Sequence, residues 1–159
     1  MNDVYLFKAM FIFMFFGYLR IGKVTASVNN LQFHHVVLSN HILITFHKFK
    51  LHIGLPFKLS IAPKPFLCPV VNLKQFIRVR GPQAGALFVL KSNLPVPSQY
   101  FYSVFYKLSL CGLDPNFIKP HSFRIGAATH AFNKGVTLQN IQKMGRWKSD
   151  TFIKYIRIN

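Results

Sequence analysis

The spacing of apolar positions separates a helical start from a strand-like second stretch. Residues 4–19 are almost continuously apolar, and the run after Lys8 covers only Ala9–Leu19. A helix needs about 20 apolar residues to span a bilayer, and no convincing small-residue cleavage site follows. We therefore predict a buried core helix rather than a membrane span or a secretory signal. Residues 32–61 are rich in β-branched and aromatic residues, which predicts three short strands near 34–38, 41–47 and 57–61. Ile42, Ile44 and Phe46 alternate along the second strand, which predicts that one face of the sheet is buried.

The second half of the chain carries helical periodicity broken by glycine and proline. A first helix is predicted to open at Cys68-Pro69-Val70 and to end at Arg80, and a second, capped by Ser98, is predicted through Leu110. Capping and stop residues then predict three more helices, with caps at Ser122, Thr137 and Ser149 and stops at Gly135 and Gly145. The pattern predicts a mainly α-helical α+β fold with a small three-stranded antiparallel sheet. At 159 residues, a single domain over 1–159 is expected.

The charge balance is extreme for a chain with a real hydrophobic core. Apolar residues make up 51%, yet 20 lysines and arginines face only 3 acids, for a net charge of +17. Such self-repulsion requires a polyanion, so double-stranded DNA or RNA is the expected partner. A ribosomal-type RNA binder and a basic membrane-surface protein are the alternatives that composition leaves open.

Cysteine and histidine spacing does not favour a metal site. Cys68 and Cys111 lie far apart in sequence, which indicates reduced, buried thiols rather than a zinc site or a disulfide. The histidines of the strand-like region are not in a recognised ligand spacing (His34, His35, His41, His47 and His52). We therefore predict no metal and no other cofactor.

The richest chemistry lies in residues 121–157. His121 and Arg124 stand three apart, Trp147 follows in Gly-Arg-Trp, and Tyr155 lies in Lys-Tyr-Ile-Arg. Arg124 is predicted in the first turn of a helix, beside unpaired backbone N–H groups. A cation there opposes the helix dipole unless an anion occupies the same end. This placement predicts an anion site.

These motifs resemble the C-terminal catalytic region of the tyrosine recombinase (phage integrase) family, and are most similar to mobile-element recombinases of the crypton and DIRS type. The family has an arginine in a Gly-x-Leu-Arg box, which Gly17-Tyr18-Leu19-Arg20 matches. It also has a lysine on a β-hairpin, for which Lys50 is our choice and Lys48 the reserve. The similarity runs from about residue 9 to 157.

The resemblance implies a role for each matched residue. Arg20 and Arg124 would donate to phosphate oxygens, His121 would donate or assist proton transfer, and the Trp147 indole would bind an oxygen. Tyr155 would attack phosphorus to give a 3′-phosphotyrosine, while Lys50 protonates the leaving 5′-hydroxyl. The implied function is site-specific recombination or integration of a mobile element, by a homo-oligomer on DNA in the nucleus, without a small-molecule cofactor.

Two departures from the family pattern predict a truncated or decayed copy. The family carries an acid three residues after the box arginine, where this chain has Lys23, a like charge expected to repel Arg20. Met1 lies just before the box, so the N-terminal helical DNA-binding domain is expected to be missing. A non-catalytic DNA-binding module is the rival interpretation, because Thr129, Gly135 and Ile141 approximate helix-turn-helix spacing.

Overall fold

The computed structural model describes residues 3–47, 54–112, 114 and 116–157. In these ranges the chain forms α1 (Asp3–Phe16), β1 (Val36–Leu38), β2 (Ile42–Phe46), β3 (Phe57–Ile61), α2 (Pro69–Arg80), α3 (Ser98–Ser109), α4 (Ser122–Asn133) and α5 (Leu138–Gly145). Short 3₁₀ helices cover Ile21–Lys23, Phe33–His35 and Asp150–Tyr155. The predicted fold class, mainly helical with a small antiparallel sheet, is confirmed.

Helix α1 is the centre of the core. Leu6, Met10 and Met14 are completely buried, and α1 packs against both α2 and α4. A helix that is apolar on all sides is stable only when other elements cover all of them, so burial follows from its sequence. Among the described residues, no helix is both long enough and apolar enough to cross a membrane.

The three strands pair in the order β1-β2-β3, and both pairings are antiparallel. In the central strand, Ile44 lies opposite Val36 on one side and Leu59 on the other. Ile42, Ile44 and Phe46 are buried, because side chains two apart point to the same face of a strand. The predicted strand positions and the predicted buried face are both confirmed.

The core has two parts. The larger cluster joins α1, the sheet, α2 and α3. The smaller one consists of Tyr18 and of residues from α4, α5 and the last 3₁₀ helix (Ala127, Ala128, Ala131, Ile141 and Phe152). Trp147 and Tyr155 pack against this smaller cluster. Small alanine side chains on this face of α4 allow its neighbours to approach closely. The predicted catalytic segment is therefore built around its own small core.

Most predicted helix ends are correct, but the caps predicted at Ser98, Ser122 and Ser149 are not. Pro97 is the N-cap of α3, and Ser98 is its first residue. Thr137 caps α5, because its hydroxyl accepts a hydrogen bond from the Asn140 N–H at 3.4 Å, and Gly135 has the predicted left-handed φ of 77°. Ser122, however, lies inside α4, and its hydroxyl accepts instead from the Lys119 N–H at 3.1 Å. The last predicted helix is a 3₁₀ helix, and its N-cap Ser149 makes no side-chain cap bond.

The two cysteines are free, but the prediction that both are buried is wrong. Cys111 is exposed and Cys68 is half-buried. Cys111 lies in the turn that follows α3, where the chain runs over the surface.

Candidate active site

The first motif forms a tight turn at the end of α1. The N–H groups of Gly17 and Leu19 donate to the carbonyl oxygens of Phe13 and Met14, both at 2.9 Å. A Cβ on Gly17 would lie 2.7 Å from the Phe13 carbonyl oxygen, so a side chain cannot fit there. Tyr18 has a left-handed φ of 51°. This turn leaves Arg20 exposed just beyond it.

Arg124 is buried where the sequence predicts an anion site, with 2% of its surface exposed. Its guanidinium donates to the carbonyl oxygen of Tyr18 at 2.6 Å and to that of Gly145. Gly145 is the last residue of α5, and helix C-terminal carbonyls carry partial negative charge. These carbonyls offset the unfavourable position of the cation at the start of α4, while Arg124 Nε has no partner among the described residues.

Trp147 covers Arg124. The guanidinium lies 4.2 Å from the centre of the indole ring, as a cation–π contact. Phe152 stacks on Trp147, with ring centres 5.4 Å apart. The indole Nε1 is buried and has no hydrogen-bond partner in the described part of the chain. Buried donors without partners are rare, so two in one site indicate a place where an acceptor oxygen binds.

His121 and Tyr155 meet at the edge of this cluster. Their ring centres are 5.1 Å apart in an edge-to-face arrangement, and Tyr155 is 5.9 Å from Trp147. The Thr129 hydroxyl donates to the Tyr155 carbonyl oxygen at 3.1 Å, which ties the last 3₁₀ helix to α4. The structure thus brings His121, Trp147 and Tyr155 together around Arg124.

The site is strongly electropositive, and Arg20 contributes to its field. Burial lowers the pKa of Arg124 to about 10, and repulsion from Arg20 acts in the same direction. Burial, followed by repulsion from Arg124 and then Arg20, lowers the pKa of His121. The lower pKa favours the neutral imidazole, which can accept a proton on one nitrogen and donate from the other.

Arg146 belongs to this cluster, although no role was predicted for it from the sequence. It ends α5 in the left-handed conformation and donates to the carbonyl oxygens of Met144 (2.9 Å), Gly17 (3.2 Å) and Tyr18 (3.0 Å). Burial, with repulsion from Arg124 and Arg20, lowers its pKa to about 9. The one sequence signal was its place in Gly-Arg-Trp, directly before Trp147.

The side chain of Lys23 turns toward a loop. Its ammonium donates to the carbonyl oxygen of Asn29 at 2.6 Å. Burial lowers its pKa, and the cation that adds to this effect is Arg146. The predicted repulsion between Lys23 and Arg20 stays a prediction.

The hairpin lysine and the metal site are the two remaining features that the sequence addressed. Lys50, our choice for the hairpin lysine, and Lys48, the reserve, both lie outside the described residues. Within the described ranges, no group of three or more histidine, cysteine, aspartate or glutamate residues could hold a metal ion.

The fold is that of a tyrosine recombinase catalytic domain. The family comparison agrees: the phage integrase family model matches residues 4–159, and the chain belongs to this family. The tyrosine recombinases of the phage integrase family are enzymes. No curated protein sequence gives a significant match.

Solved structures share the fold at low sequence identity. The crystal structure of XerA recombinase matches with a TM-score of 0.78 and 19% identity, over 99% of this chain and 54% of that one. The Tn1549 transposon integrase in complex with circular intermediate DNA matches with a TM-score of 0.60 and 16% identity, over 95% and 53%. The chain therefore spans about half the length of these proteins.

Proposed function

We propose that this chain is the catalytic domain of a site-specific DNA recombinase, which cuts and rejoins DNA through a 3′-phosphotyrosine. The observation that carries the proposal is the convergence of His121, Arg124, Trp147 and Tyr155, in the field of Arg20. A nucleophile, a proton carrier and planar cationic donors are the parts that phosphoryl transfer needs.

Double-stranded DNA is the proposed substrate. The net charge of +17 supports a polyanion, and the known donor bonds of Arg124 and Arg146 end on backbone carbonyls rather than on carboxylates. The site thus retains its positive charge for a phosphodiester. The Tn1549 integrase structures contain circular intermediate DNA or transposon right end DNA, which supports the same substrate class here.

The chemical step balances with groups from this chain. The Tyr155 hydroxyl oxygen forms a bond to phosphorus, and the bond from phosphorus to the 5′-oxygen breaks. His121, whose ring centre lies 5.1 Å from that of Tyr155, is the group that we assign to remove the phenol proton. The 5′-oxygen takes up a proton, which we assign to Lys50. Arg20, Arg124 and the Trp147 indole donate to the phosphate oxygens as negative charge increases. Attack by a 5′-hydroxyl reverses the step and rejoins the strand.

We extend the proposal to the biological setting of this activity. The resemblance is to the recombinases of crypton and DIRS elements, and it lies in Gly-Arg-Trp, Lys-Tyr-Ile-Arg and the arginine box. The proposed DNA is therefore that of a eukaryotic mobile element, and the proposed site of action is the nucleus. Strand exchange joins two duplexes, so the active form is a homo-oligomer on DNA.

A nicked suicide substrate tests catalysis directly. After strand cleavage the short product diffuses away, so the wild-type protein should accumulate a covalent adduct that survives denaturing electrophoresis. Tyr155→Phe should give none, whereas Tyr102→Phe, an exposed tyrosine of α3, should match the wild type. Absence of an adduct from the wild type, with DNA binding intact, would instead identify a non-catalytic DNA-binding module.

A further inference from the structure

A second basic cavity lies beside the candidate active site. The cavity lies between the loop 28–32 and the end of β2, and its volume is about 340 Å³. Three basic side chains and three amides line it (Lys23, His35, His47, Asn29, Asn30 and Gln32). None of the described lining residues is acidic. A cavity of this composition is suited to an oxyanion, because ammonium, imidazole and amide groups all supply donors.

The donors of this cavity are held in position by local hydrogen bonds. His35 Nδ1 accepts from the Gln32 N–H at 3.2 Å, so its neutral ring carries the proton on Nε2 and can donate there. The Lys23 ammonium is anchored at the Asn29 carbonyl oxygen, and the Leu31 N–H donates to the Lys23 carbonyl oxygen at 2.9 Å. The loop therefore holds Lys23 and His35 on the same cavity.

Basic groups lie close together in this cavity. The ring centres of His35 and His47 are 4.9 Å apart. Burial lowers the pKa of His35, and repulsion from His34, His47 and Lys23 acts in the same direction. An anion in the cavity would be attracted to the Lys23 ammonium and would favour the protonated form of the His35 ring, so the cluster is suited to bind one.

The cavity is connected to the candidate active site through one aromatic ring. Phe46 lines the cavity, and the Arg146 guanidinium lies 4.1 Å from the centre of its ring. Arg146 in turn donates to the same Tyr18 carbonyl oxygen as Arg124. A duplex bound at the candidate active site would therefore have further backbone phosphates near the cavity.

We propose that the cavity formed by Lys23, His35 and His47 binds a second backbone phosphate of the DNA whose scissile phosphate lies at Arg124 and Tyr155. The assignment of this phosphate to DNA rests on the proposed function, whereas the ability of the cavity to bind a phosphate group does not. The cavity binds phosphate for positioning and takes no part in the reaction.

Titration with inorganic phosphate tests the chemistry alone, with the imidazole resonances of His35 and His47 as reporters. Phosphate should shift both in the wild type and in Lys74→Gln, a control on the exposed face of α2, but much less in Lys23→Gln. His47→Gln is a second variant, at an exposed position, and should weaken the His35 shift. Unshifted wild-type resonances, or equal shifts in Lys23→Gln, would overturn the proposal.

Duplex DNA tests the identity of the ligand. It should shift the same resonances, and Lys23→Gln should reduce the slope of log affinity against log salt by about one, the effect of one phosphate contact. If wild-type protein binds DNA but the slope is unchanged in Lys23→Gln, the cavity proposal fails and the proposed function stands. If phosphate shifts the rings and DNA does not, the cavity takes free phosphate and its assignment to DNA is overturned. A wild type that binds no DNA would overturn the proposed function as well.

Discussion

Arg124 and Arg146 donate hydrogen bonds to the same acceptor, the carbonyl oxygen of Tyr18, at 2.6 and 3.0 Å. Two guanidinium groups repel each other at this separation, and burial strengthens the repulsion because water screens it less. The left-handed turn at Tyr18 supplies the partial negative charge that holds them together. The same turn leads directly into Arg20, so one backbone feature organises all three arginines.

We expect Arg146→Lys to destabilise the protein. An ammonium cannot reproduce the planar fork that reaches Met144, Gly17 and Tyr18, and buried carbonyl oxygens that lose their donors cost about 1–3 kcal/mol. Urea unfolding should show a lower free energy of unfolding for Arg146→Lys. Arg78→Lys, on the exposed side of α2, is the matched control and should change little. Equal stability of the two variants would show that the shared carbonyl is unimportant.

Gly145→Ala should displace Trp147 from Arg124. A Cβ on Gly145 would overlap the Trp147 ring, so the indole has to move. Trp147 is the single tryptophan of the chain, so its fluorescence reports this change directly: we expect red-shifted emission and greater access to a soluble quencher. In Gly22→Ala the new Cβ has ordinary contacts, the nearest at 3.6 Å, and the emission should match the wild type. An unchanged spectrum for Gly145→Ala would contradict the observed packing.

Stability should fall on acidification, partly because of His121. Its pKa is lower in the folded protein than its usual value of about 6.5, so the unfolded chain binds more protons in the window just below pH 6.5. Stability is therefore present above that window and lost as the pH falls through it. His35 acts in the same direction. Urea unfolding at pH 7.5 and 5.5 should show a smaller pH effect in His121→Asn than in the wild type, whereas His41→Asn, an exposed turn residue, should retain the full effect.

DNA binding should depend steeply on salt. Each neutralised phosphate contributes about 0.9 to the slope of log affinity against log salt, and several phosphates should be contacted by a chain of net charge +17. Fluorescence anisotropy with a labelled duplex, measured across a range of salt concentrations, gives the slope. Tyr155→Phe should retain it, because the substitution removes no lysine or arginine. A slope near zero would contradict an electrostatic interface.

Local periodicity was sufficient for most of the fold. The apolar run of α1, the alternation of Ile42, Ile44 and Phe46, and the cap at Thr137 each depend on residues close in sequence, and each was predicted correctly. The error at the start of α4 was also local. His121 and Ser122 can both serve as the N-cap of this helix, and the Ser122 hydroxyl instead accepts a hydrogen bond from the Lys119 N–H. Family motifs indicated Arg20, His121, Arg124, Trp147 and Tyr155 as the candidate site, but only as separate segments.

What the amino-acid sequence determined by itself was the set of elements, their apolar faces, the positive charge and the identity of the chemical groups. The tertiary structure decided which groups meet: Arg124 reaches a carbonyl 106 positions away in the chain, Arg146 enters the same cluster, and His35 and His47 form a cavity with Lys23. Contacts of this kind depend on how α1, α4 and α5 pack around the small second core. No periodic pattern within one element encodes that packing, because each helix specifies its own buried face but not the partner that covers it.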